Sequence, residues 1–262
     1  PPPPPGPEPP AGGGIPDRPS GPGPAARLAI LLVAAGLAVA AASSLAGGPG
    51  IRTEPPTFRT SADCEPCHQK VYAEWRKSWH AKAWTDPEVR RLTNDFSNKQ
   101  CLSCHTPLPI LVTGIGQRAI ERQTLLKEGV NCFTCHQDEK GRIVGARDVP
   151  SAPCAPVRNE AVTTNAICAP CHNQHFTMDQ WEESPAKARG EDCSHCHMPV
   201  VTRRLADGTT GEGRSHITRG GHHPAYVRSA VSLEAAWREG RLHLAVTNVF
   251  GGHNFPTDSR HK

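Results

Sequence analysis

Five stretches decide the reading of this chain: CEPCH at Cys64–His68, CLSCH at Cys101–His105, CFTCH at Cys132–His136, CAPCH at Cys168–His172 and CSHCH at Cys193–His197. They take up Cys64, Cys67, Cys101, Cys104, Cys132, Cys135, Cys168, Cys171, Cys193 and Cys196, ten of the eleven cysteines, and every pair is followed at once by histidine. This is the attachment pattern for c-type haem. Two thiols held two residues apart on a tight turn meet the two vinyl groups of one porphyrin as thioethers, and the next residue projects beneath the ring, where its imidazole ligates the iron. Zinc ribbons use C-x-x-C pairs but place no histidine after each second cysteine. Neighbouring cysteines of a C-x-x-C make poor disulfide staples and leave the histidines unexplained. The motifs therefore predict five covalently attached haem c groups, with His68, His105, His136, His172 and His197 as proximal ligands.

That cofactor load makes sense of an otherwise unpromising composition. Of 262 residues, 37% are hydrophobic and 5% aromatic, diluted by 27 Pro and 24 Gly. Such a chain cannot build a large side-chain core, so the porphyrins are expected to fill the interior. The net charge of +4 is spread along the chain rather than gathered in a basic block, which argues against nucleic acid as a partner. Each ferric haem with two ionised propionates adds roughly −1. The basic residues are accordingly read as partners for propionates.

Five irons call for up to five distal ligands. His261 lies at the chain's end, His243 alternates with Leu242 and Leu244, and His195 sits inside its own attachment loop. Six candidates remain: His80, His175, His216, His222, His223 and His253. His80 stands among Tyr72, Trp75 and Trp79, aromatics suited to haem faces, and His253 lies in GGHNFPT, where glycine lets the backbone approach a haem closely. Met178 and Met198 are alternative axial ligands, though Met198 directly follows its own proximal histidine. Cys154, in PSAPCAP, is the odd cysteine and carries no assigned role.

Outside the motifs the chain divides by composition. Residues 1–26 hold 12 prolines and six glycines and are expected to stay disordered. Residues 27–47 begin at Arg27 and are otherwise uncharged, long enough to span a bilayer as a signal anchor, with Ser44-Leu45-Ala46 offering a cleavage site if the segment is instead a signal peptide. Either way the body is expected outside the cytoplasm, at the periplasmic face of the inner membrane if anchored, or periplasmic or extracellular if cleaved. Residues 48–61 read as a linker, 62–224 as the pentahaem domain, and 225–262 as a β-hairpin opening a β-rich segment that continues past Lys262. Within the body, Val71, Trp75, Ser78 and Trp79 share one face of a predicted helix reaching His80. Asp86-Pro87 starts a short helix, residues 118–128 read as an amphipathic helix, and Val227–Ala236 with Leu242–Val249 alternate around Glu239-Gly240 as strands. The fold class is mainly α with long loops.

The stretches SADCEPCHQKVYAEWRKSWHAKA, GVNCFTCH, CAPCHNQHF and EDCSHCHMP resemble the multihaem cytochromes of the cytochrome c-554 (c-552/4) group, and SHITRGGHHPAYVRSAVSL and VTNVFGGHNFPTD resemble the β-rich continuation of those proteins. The resemblance spans about residues 60–260. It implies a mostly helical fold wrapped around closely packed haems, export, and electron transfer, with His80, His216 and His253 as distal ligands. The expected partners are redox proteins or quinol-linked donors, together with the membrane if the N-terminal segment is retained. Two alternatives stay open: a reductase or dehydrogenase of nitrogen or sulfur oxyanions with one open haem site, and a subunit of a cytochrome filament. No C-x-x-C-K motif is present, and Tyr72 and Tyr226 are the only tyrosines available for a haem cross-link.

Overall fold

The computed structural model describes residues 59–255 and residue 257. The Pro-rich leader, the apolar segment 27–47 and nearly all of the linker lie outside the described residues. Among those that are described, no helix is long and apolar enough to cross a membrane.

The helices, in chain order, are α1 (Glu65–Lys77), α2 (Trp79–Lys82), α3 (Pro87–Leu92), α4 (Leu102–His105), α5 (Ile110–Thr113), α6 (Cys132–His136), α7 (Ala169–His172), α8 (Thr177–Glu182), α9 (Pro185–Ala188), α10 (Cys193–His197) and α11 (Pro224–Ala230). Among the described residues only α1 is longer than seven residues. Helices this short do not hold themselves together, because one turn's hydrogen bonds barely offset the entropy of nucleating it. Three two-stranded sheets accompany them: parallel β1 (Val144–Gly145) with β2 (Val157–Arg158), and the antiparallel hairpins β3 (Val200–Arg204) with β4 (Thr210–Arg214) and β5 (Val231–Arg238) with β6 (Arg241–Asn248). The molecule is helix-rich with small sheets and long loops, as the sequence predicts.

Buried apolar side chains are few. Phe96, Leu102, Ile110, Ala119, Phe133, Val144 and Ala186 make up the apolar core of the described residues, alongside eleven buried polar or charged ones. Polar stitches across long sequence separations do much of the positioning. Ser61 Oγ donates to Glu128 Oε2 (3.1 Å) and accepts the Cys132 N–H (3.3 Å), which ties the start of the first attachment turn to the third. Asn165 Oδ1 accepts the Cys193 N–H at 2.7 Å and holds the fourth turn against the fifth.

Two helix expectations and one strand expectation are corrected. The helix carrying Trp75 stops at Lys77 and does not run on to His80. Buried Ser78 turns extended (φ −72°, ψ 160°), donates its hydroxyl to the Trp75 carbonyl at 2.7 Å and caps α2 by accepting from Ala81 N–H. Residues 118–125 are not helical. Leu108 N–H donates to Ile120 O (2.7 Å) and Arg122 N–H to Thr106 O (2.8 Å), so the segment pairs with residues 106–108 instead, and only Leu126–Glu128 forms a 3-10 turn. Lastly, residues 227–230 belong to α11, and the hairpin begins at Val231. Its turn at Glu239 (φ 51°) and Gly240 (φ 71°) is of the left-handed kind that suits strand twist. The β3–β4 hairpin was not foreseen.

The reason for the second correction is Arg122. Its guanidinium is buried and donates to four carbonyls: Thr124 (3.1 Å), Pro107 (2.9 Å), Leu125 (3.0 Å) and Gly129 (2.5 Å). A helix over 118–128 would carry Arg122 away from these carbonyls, two of which, Pro107 and Gly129, lie outside it. Burial holds the Arg122 pKa below its ordinary value. Arg122→Lys keeps the charge but loses the planar fork, leaving at least one buried carbonyl unpaired. The expected cost is about 2 kcal/mol. At about 3 °C per kcal/mol this lowers the melting midpoint of the haem-loaded protein by roughly 6 °C, measurable by calorimetry, and an unchanged midpoint would remove Arg122 from this role.

Candidate functional site

Each C-x-x-C-H is one helical turn that stops at its histidine. α4, α6, α7 and α10 end at His105, His136, His172 and His197, while α1 is kinked at His68 (φ −110°, ψ 39°). Asn131 caps the third turn through Thr134 N–H (3.0 Å) and Asp192 caps the fifth through His195 N–H (2.7 Å). The turn brings the two cysteines and the imidazole to one side, which is the arrangement thioether attachment requires.

The Nδ1 atoms of five histidines lie on backbone carbonyls: His105 on Ala83 O (2.7 Å), His136 on Val144 O (2.9 Å), His197 on Arg219 O (2.6 Å), His216 on Arg214 O (3.0 Å) and His253 on Asn254 O (2.8 Å). A carbonyl only accepts, so Nδ1 carries the proton and Nε2 keeps its lone pair for a metal. Burial, reinforced by neighbouring imidazoles, pushes the pKa of His80 and of His216 down to about 4. It also lowers those of His136 and His197. Neutral rings are thereby available to iron well into the acid range.

Imidazoles far apart in sequence meet in pairs. The ring centres of His80 and His172 are 6.2 Å apart, those of His136 and His216 6.4 Å, and those of His197 and His253 6.0 Å. One iron between two imidazoles sets nearly this spacing, since a metal–nitrogen bond of about 2 Å and about 1.1 Å from nitrogen to ring centre, doubled, come to about 6.2 Å. By contrast, no three His, Cys, Asp or Glu side chains among the described residues converge as a metal cluster. The residues present therefore fit porphyrin-bound iron, with a ring on each side.

The remaining histidines are placed differently. Exposed His222 lies against Trp79 with ring centres 3.9 Å apart, and His223 caps α11, its Nδ1 accepting the Tyr226 N–H (3.3 Å). His175 closes the 3-10 turn Asn173–His175, and its side chain lies outside the described residues. Among the described residues neither His68 nor His105 has a second imidazole at the paired spacing. Phe96, stacked on Trp84 at 4.6 Å, stands edge-on to His105 at 5.4 Å.

The attachment turns also adjoin one another. The Cys64 thiol lies against that of Cys132, Cys168 against Cys193, and Cys171 against Cys104. This closeness pushes Cys64, Cys168 and Cys171 up in pKa and holds Cys132 and Cys193 down. Cys135 is near enough to Cys168 and Cys171 for its charge to be felt by both. First with third, third with fourth, and fourth with both second and fifth, the turns form one connected set. Cys154 is half-buried, close enough to Cys67 for that charge to raise its own pKa, although burial is the larger cause.

Sequence reasoning did not reach the anchoring carbonyls, nor Glu74, Gly129 and Asn165. No motif marks a backbone oxygen, and these residues meet their partners across the fold.

Residues 63–137 match the family described as Cytochrome c554 and c-prime. The fold is similar to the crystal structure of a penta-heme cytochrome c552 from Thermochromatium tepidum, with a TM-score of 0.53 and 21% identity, covering 78% of this chain and 69% of that one. A comparison with curated proteins gives no match. Haem c supplies a one-electron centre, and this chain's residues fasten, orient and enclose it. Taken with the attachment turns and the facing imidazoles, the match over residues 63–137 supports a multihaem c-type cytochrome that is similar, over that stretch, to the cytochrome c554 family.

Proposed function

We propose that the chain is a pentahaem electron carrier working outside the cytoplasm, anchored or released at the apolar segment 27–47, that relays electrons between a quinol-linked or protein donor and a second redox protein. The observation that carries this reading is the set of facing imidazoles. His80 with His172, His136 with His216 and His197 with His253 would hold three irons from both sides and so close those three to a substrate. The connected attachment turns support a relay, since haems held on them would be neighbours, branching at the fourth turn. Distal imidazoles and local burial then set each potential.

The test is an electron paramagnetic resonance spectrum of the oxidised holoprotein beside a haem count from the pyridine haemochrome. Five haems per chain with at least three low-spin centres are expected. Fewer than three low-spin centres would sink the axial pairs. A high-spin centre that binds nitrite or sulfite and turns it over would replace the carrier with the oxyanion reductase.

A further inference from the structure

We propose that Arg203 is the residue that grips a propionate carboxylate of the haem held by Cys132, Cys135 and His136, locking it in register with His216. The proposal rests on the axial pairing of His136 with His216 and goes beyond it by assigning the porphyrin's acidic edge a partner.

Arg203 lies on β3 and its side chain is 6% exposed. Across the hairpin its register partner is Gly211, and its Nε would lie 3.6 Å from a side chain at Gly213, so the guanidinium lies over a stretch of β4 without side chains. Nη2 donates to the Arg214 carbonyl at 2.9 Å. Nη1 is 2.9 Å from Glu74 Oε2, yet its hydrogens are not aligned on that oxygen, and Nε has no acceptor at all. A buried guanidinium with idle donors is rare in a folded protein, because each idle N–H has given up water for nothing.

The surroundings say what the missing acceptor is. Glu74 Oε2 is already engaged, accepting the His216 backbone N–H at 2.8 Å, and the charge of Arg203 is felt at the His216 ring. The guanidinium thus lies near the imidazole that faces His136, where the edge of a porphyrin held between those two rings would come. A porphyrin's acidic edge offers two carboxylates, and a planar guanidinium matches a carboxylate in both charge and geometry. Glu74 completes the device. It sits on α1, behind the first attachment turn, and holds Arg203 and the His216 backbone with one carboxylate oxygen. Arg203 is therefore a positioning residue for the haem, and Glu74 fixes both it and the far-side ligand.

The experiment is a redox titration of the intact holoprotein, followed by optical and paramagnetic resonance spectra. In Arg203→Gln the propionate charge is no longer neutralised and favours ferric iron. The reduced-to-oxidised ratio of one haem at fixed potential is expected to fall about tenfold, which is ~59 mV for one electron. The number of low-spin centres stays as in the parent. Arg203→Lys keeps the charge, so the ratio should change by less than about threefold while the propionate band moves in the redox-difference infrared spectrum. Unchanged potentials in the Gln variant with full haem content would overturn the proposal. So would loss of one low-spin centre in that variant, since Arg203 would then merely support His216. Should the Gln variant fail to accumulate, an unmoved carboxylate band in the Lys variant overturns it alone. A parent protein lacking a bis-imidazole centre at His136 is recognised before any substitution is made and sinks the axial pairing itself.

Discussion

Gly129→Ala is expected to destabilise the haem-loaded protein by about 4 kcal/mol and to release His80 from His172. Gly129 has φ +56° and ψ −130°, a region open to glycine alone, and alanine there costs about 1–3 kcal/mol in backbone strain. A methyl group at this position would lie 2.3 Å from the His80 carbonyl, 2.9 Å from the Ala81 carbonyl and 3.1 Å from the Ala83 nitrogen. These are backbone atoms that no rotamer change moves aside, and overpacking of this kind adds another ~1–3 kcal/mol. The next residue explains why the approach is so close: Val130 N–H donates to the His80 carbonyl at 2.8 Å, and Trp75 Nε1 donates to the Val130 carbonyl at 2.8 Å. Residues 129–130 are the floor on which α2 rests. Thermal denaturation should show the loss of stability, and the oxidised spectrum should show one low-spin centre converted to high spin. A variant with parent-like midpoint and spectrum would mean that α2 shifts freely, contrary to the packing under it.

His80→Met is expected to raise the potential of one haem and leave the others where they are. The thioether is a weaker donor to ferric iron than imidazole, so reduction becomes easier. The rise should exceed the ~59 mV that corresponds to a tenfold change in the one-electron equilibrium. Geometry favours a specific effect, because the His80 ring faces His172 at 6.2 Å and is buried, with its pKa down at about 4. His80→Ala gives the complementary result, one high-spin centre that added imidazole returns to low spin. A redox titration of the Met variant that superimposes on the parent would remove His80 from the ligand set.

The attachment turns could be read from the sequence because the porphyrin's vinyl spacing dictates C-x-x-C-H whatever surrounds it. The distal ligands were narrowed only to six residues, since a ligand's partner lies far along the chain and the sequence records no distance. His136 and His216, for instance, come face to face only once the chain has folded. The helix reaching His80 was misjudged because Trp75 and Trp79 keep helical periodicity straight through Ser78, while the break comes from the Ser78 hydroxyl bonding the Trp75 carbonyl. In RAIERQTLLKE the apolar spacing imitates a helix, but Arg122 is buried on four carbonyls, a fact of tertiary structure. The β3–β4 hairpin escaped notice because TGEGR offers no apolar alternation. Its Gly211 lies against Leu205 and its Gly213 beside Arg203, neighbours that appear only once the chain has folded.

The crossing of ligands between distant motifs also imposes an order in time. Under the pairing proposed above, a chain delivered N-terminus first presents His80 well before the turn of His172, so that haem finds its second imidazole already waiting. The haems of His136 and His197 are loaded before His216 and His253 arrive, and each passes through an interval with one face bare. During that interval both centres are open to oxygen, carbon monoxide or stray thiols, and a chain cut short before His216 would leave the third haem in that state permanently.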